Sequence, residues 1–138
     1  MKVVNKYFLI NSIDAISFYD SEDCEDVFSD LDVNNESEVK KIIKYRMLIN
    51  HLIKPETFKE IFKNTLKYYL NKDKVDFEKI YQAGYPSFGL PNEPKFFFIW
   101  IWEEFYKGES YILDDLSDYE EYNDHSQLLR IMPYTRNI

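Results

Sequence analysis

The stretch from Pro55 to Tyr69 constrains this chain most. Phe58, Ile61, Phe62, Thr65, Tyr68 and Tyr69 recur at three- and four-residue steps, while Glu56, Lys59, Glu60, Lys63 and Lys67 fall between them. That spacing places the apolar residues on one face of an α-helix turned to a core. Pro55 suits the first turn of this helix, where its missing N–H costs nothing. Upstream, Val39, Ile42, Ile43, Met47, Ile49 and Ile53 make a second broad stripe. Ser37 is its candidate N-cap, with Lys40 where a capping box would carry Glu or Gln. Downstream, Asp76 is placed to cap a third short helix bearing Phe77, Ile80 and Tyr81, with Gly84 as terminator.

Three such elements in succession predict a mainly α fold, a helical bundle forming one domain over residues 1–138. A length of 138 residues matches one domain, and 11 Phe, 12 Tyr and 2 Trp supply ample core material. Residues 84–94 hold two of the three glycines and three of the five prolines and form the main loop. The segment after it has two readings. Pro94 can open a helix that Gly108 closes. Alternatively, the strand formers of Phe96–Trp102 can turn through residues 107–110 into Tyr111–Leu113 as a β-hairpin, an α+β variant. Helix is preferred, because Glu103, Glu104, Phe105 and Tyr106 do not alternate; Trp100 and Trp102 then belong to the core. Val3–Phe18 reads as a poorly capped helix or a short strand pair. Asp124 is placed to cap a last helix over His125–Met132, which Pro133 ends.

Several function classes are disfavoured. The lone Cys24 has no partner for an internal disulfide, and its neighbours Glu22, Asp23, Glu25 and Asp26 oppose a thiolate. No signal peptide is evident, and the longest apolar run, Phe96–Trp102, falls far short of the roughly 20 residues of a membrane span. The expected setting is the cytoplasm. A net charge of −8 disfavours nucleic acid and anionic membranes as partners. Glycine loops for phosphate and nucleophile elbows are missing, and the acids at 20–32 do not match a calcium loop. Cys24, His51 and His125 are too few and too scattered for zinc. His51 reads as a surface or capping residue near a helix C-terminus. The chain is therefore expected to be no enzyme, with no catalytic residue, cofactor or metal.

The charge is unevenly spread. Residues 20–38 carry Asp20, Glu22, Asp23, Glu25, Asp26, Asp30, Asp32, Glu36 and Glu38, without Lys or Arg. Residues 109–124 carry Glu109, Asp114, Asp115, Asp118, Glu120, Glu121 and Asp124, again without Lys or Arg. Residues 39–79 have a net charge of +6. Both acidic segments keep apolar residues, among them Val27, Phe28, Leu31, Tyr111, Ile112, Tyr119 and Tyr122, which solvating tails usually lack. Carboxylates interleaved with tyrosines suit a surface that binds a basic protein. The candidate contact residues are Asp20, Glu22, Asp23, Glu25, Asp26, Asp30, Asp32, Asp114, Asp115, Asp118, Tyr119, Glu120, Glu121, Tyr122 and Asp124. The competing reading is a hydrated acidic face whose aromatics point inward.

A small, acidic, tyrosine-rich chain without catalytic motifs resembles the immunity proteins of bacterial toxin systems, both the contact-dependent growth inhibition and the colicin nuclease kinds. The resemblance is one of whole-chain profile. The helical colicin immunity proteins carry a Tyr-Pro element after an acidic helix; Tyr85-Pro86 is the comparable dipeptide, but Gln82-Ala83-Gly84 precedes it. The resemblance implies stoichiometric inhibition of a basic toxin, often a nuclease. Two alternatives stand beside it: a nucleic-acid mimic, and an adaptor module of phage or bacterial origin.

Overall fold

A computed structural model of the chain describes residues 1–17 and 31–132. It is mainly α-helical, with one small sheet. The elements run β1 (Lys2–Val4), α1 (Lys6–Ile13), a 3-10 turn (Asp14–Ile16), α2 (Glu36–Ile42), a π-helical stretch (Ile43–Leu48), α3 (Ile49–Leu52), α4 (Glu56–Asn71), α5 (Phe77–Ala83), α6 (Pro94–Phe105), β2 (Tyr119–Glu121) and α7 (His125–Ile131). Their buried side chains form one core cluster.

The helix starts follow capping chemistry. Asn5, Asn35, Asp76 and Asp124 each accept a backbone N–H of the first turn they precede. Asn35 thus replaces Ser37 as the cap of α2: its Oδ1 accepts from Glu38 N at 3.1 Å. Pro55 sits at the N-cap of α4, one residue before the helix. Gly84 follows α5 with φ −85, so it is not there for a left-handed turn. A Cβ at Gly84 would lie 2.5 Å from Ile13 Cβ, so glycine is required by the close approach of α5 to α1. The positive φ falls on the next residue, Tyr85.

The stripe upstream of Pro55 needs correction. Val39, Ile42, Ile43 and Met47 are buried, but Ile49 and Ile53 face outward and His51 takes their place in the core. The π stretch accounts for this. Its i→i+5 bonding places more residues in each turn than an α-helix does. The inward face therefore passes from Met47 to His51, leaving Tyr45, Ile49, Leu52 and Ile53 in solvent.

Residues 94–105 are helical, as preferred. In α6, Phe97, Phe98, Ile101 and Trp102 are buried, whereas Trp100 is half-buried and stacks on exposed Phe96. No strand forms at Tyr111–Leu113. Instead, β1 pairs in parallel with β2, Val3 opposite Glu120, joining two strands more than 110 residues apart in sequence. β1 lies against α4, and Val4 is fully buried.

Candidate functional site

The second acidic segment folds as a strap across the bundle. Beyond α6 the chain turns at Gly108, whose φ of 84 suits glycine, and follows α4 from Lys63 to its C-terminal end. Side chains from the bundle fasten it at successive points. Trp102 Nε1 donates to the Glu109 carbonyl at 2.8 Å. Lys63 Nζ pairs with the Glu109 carboxylate at 2.8 Å. The Asn71 amide acts as a piece of strand edge: Nδ2 donates to the Tyr111 carbonyl at 2.7 Å, and Oδ1 accepts from Leu113 N at 3.0 Å. Lys2 N donates to the Asp118 carbonyl at 2.8 Å.

At its far end the strap is held by Glu121 and Asn5. The Glu121 carboxylate accepts from Tyr68 at 3.0 Å, Tyr69 at 2.7 Å and Lys72 at 2.6 Å. Partial burial pushes this carboxyl up, but Lys72, Tyr69, Tyr68 and Asn123 together outweigh burial and hold it down at about 2. Burial first, and then the adjoining Glu121 charge, push the Tyr69 phenol well above its ordinary range. Asn5 Nδ2 donates to the Asp124 carbonyl at 2.8 Å, while Asn5 N donates to Thr65 Oγ1 at 3.0 Å. Asn5 and Thr65 are fully buried, so the bond between them ties the start of α1 to α4 in a water-poor interior, and the part-buried bond to Asp124 adds the start of α7.

The strap residues divide into two groups. Asp114, Asp115, Asp118 and Glu120 are exposed, and none has a cationic partner among the described residues. Asp115 accepts from Ser117 N, and bonds to Ser117 lower its pKa. Ile112 and Tyr122 lie exposed alongside, Ile112 at 63% and Tyr122 at 44%. The second group is taken up within the fold. Tyr119 is buried, its ring 5.6 Å from that of Tyr68, so it adds nothing to the outer surface. Glu121 is spent on the tether, and Asp124 caps α7 through Ser126 N at 2.9 Å. Lys63 of α4 and Lys72 just past its end pair with strap carboxylates, which brings part of the basic segment against the acidic one.

Of the first acidic segment, Asp20, Glu22, Asp23, Glu25, Asp26 and Asp30 lie outside the described residues. Asp32 is exposed and accepts from Asn34 N at 2.9 Å. No hydrogen bond or ion pair joins it to the strap among the described residues. Of the residues that hold the strap in place, Asn5, Asn71 and Lys72 were not singled out from sequence, and Trp102 was read only as core. A lone Asn carries no periodic signal, and Asn5, Asn71 and Lys72 act through groups far along the chain.

Among the described residues no group of three or more His, Cys, Asp or Glu side chains is arranged to hold a metal ion. Among them no helix is long and apolar enough to cross a membrane. Comparison with protein-family models, with curated proteins and with solved structures gives no match.

Proposed function

We propose that this chain is a protein-binding inhibitor of the immunity type, which covers a cationic surface of a toxin domain with its acidic strap. One observation carries the reading. Asp114, Asp115, Asp118 and Glu120 stand in solvent without cationic partners among the described residues, on a backbone tethered at both ends. A surface fixed before the encounter loses little conformational entropy on binding. Unpaired carboxylates steer a basic partner toward it. Ile112 and Tyr122 add apolar contact area among the charges. The inhibition would be stoichiometric, by exclusion of the toxin's substrate.

The test is protection of cells. Where a toxin gene lies immediately upstream, the chain is co-expressed with that toxin; a locus without one removes the immunity reading and leaves the adaptor. The wild type should restore growth, and a strap variant combining Asp114→Asn, Asp115→Asn, Asp118→Asn and Glu120→Gln should not. Full protection by that variant, at unchanged thermal stability, removes the strap from the mechanism.

A further inference from the structure

A cationic groove lies beside the strap in a chain that is otherwise strongly acidic. Its volume is about 360 Å³, within the usual range for small-ligand sites. Ile10, Val75, Ile80 and Ala83 supply its apolar wall, and Tyr7 and Tyr69 its aromatic one. Lys6, Lys72, Lys74 and Lys79 line it together. Among the described residues only two acids share the lining, Asp76 and Glu121, and both are engaged. Asp76 Oδ1 caps α5 by accepting from Lys79 N at 3.0 Å, and Glu121 holds Lys72. Lys6, Lys74 and Lys79 have no carboxylate within ion-pair distance among the described residues. The lining therefore carries a net charge of +2.

The backbone adds an independent observation. Lys74 has φ 60, a left-handed conformation in which glycine or asparagine is the usual residue. A lysine there is conformationally costly, and the position also lines the adjoining groove shared with Phe77 and Lys95. An outlier of this kind at the mouth of a cavity points to a use for the side chain.

We propose that this groove binds a phosphate monoester carried on a small apolar or aromatic body. The dianionic headgroup, at about −1.5 to −2 near neutral pH, matches the +2 lining. Lysines serve as point-charge ligands for its oxygens. The body lies against the apolar and tyrosine wall. The site is separate from the outward carboxylates of the strap and does not depend on the inhibitor reading.

The test is calorimetric titration of the full chain with phenyl phosphate, inorganic phosphate and benzyl alcohol. Phenyl phosphate should bind saturably with one-to-one stoichiometry, inorganic phosphate about tenfold more weakly, and benzyl alcohol not at all. The variant Lys6→Gln, Lys74→Gln, Lys79→Gln removes no ion pair of the described fold; it should keep its thermal stability and lose at least about tenfold in affinity. Non-saturable uptake, unchanged affinity in the triple variant, or equal binding of phenyl and inorganic phosphate each overturns the proposal. The strap variant should bind phenyl phosphate as the wild type does, so the two sites fail or stand separately.

Discussion

His51 shows how far a single side chain can depart from its sequence context. Near the end of a helix it has the position of a surface residue that complements the helix dipole. In the fold it is buried, with its ring 4.7 Å from Phe62, 4.8 Å from Phe105 and 5.9 Å from Phe58, and its Nδ1 has no hydrogen-bond partner among the described residues. Burial, helped by the charges of Lys59 and Lys54, lowers its pKa from 6.5 to about 4. The folded state thus resists a proton that the unfolded chain accepts. The stability this contributes is complete above pH 6.5 and is lost as pH falls from 6.5 to 4. Urea unfolding across that window should show a loss on the order of 2–3 kcal/mol, separate from the loss at Glu121, which falls between pH 4.5 and 2. His51→Leu removes an unsatisfied buried atom. It should abolish the upper window and hold stability at pH 7 within about 1 kcal/mol or raise it. A wild type with equal stability at pH 7 and pH 4.5 contradicts the burial of a neutral imidazole.

At the scale of elements, the helices were legible because their signals are local. Stripes at three- and four-residue steps, Asp76 and Asp124 as caps, and Pro94 at the start of α6 each act within a turn or two. The register of α3 was not legible. Ile49 and Ile53 fit the apolar stripe, and only the intervening π stretch turns them outward. The strap was legible as an acidic segment but not as a fastened one, since its partners Asn71 and Asn5 lie far from it in sequence. Asn71→Ala tests this fastening. It leaves the Tyr111 carbonyl and the Leu113 N–H without their partner, which should cost about 1–3 kcal/mol. Hydrogen exchange at Leu113 N–H should accelerate strongly while exchange within α4 changes only with global stability. Protection at Leu113 equal to the wild type's would mean that the amide clamp does not hold the strap.

On the scale of the whole molecule, distant parts of the chain meet through contacts that no local pattern predicts. Parallel pairing of β1 with β2 brings residues 2–4 beside 119–121, so the acidic segment becomes part of the fold. The mainly helical architecture followed from periodicity, but the sheet did not, since three-residue strands leave almost no alternation to read. The candidate surface also changed between sequence and fold. Within the strap, Tyr119 turned inward, Glu121 and Asp124 became structural, and the outward acids are Asp114, Asp115, Asp118 and Glu120, with Ile112 and Tyr122 beside them. The central claim is that this outward set meets a cationic partner. It is tested most directly by stopped-flow association of the wild type and the four-site strap variant with a toxin domain that the wild type neutralises, over a range of ionic strength. The account predicts a wild-type association rate that falls steeply as salt rises, and a variant that is slow at low salt and nearly insensitive to it. Equal rates and equal salt dependence for the two proteins would contradict it.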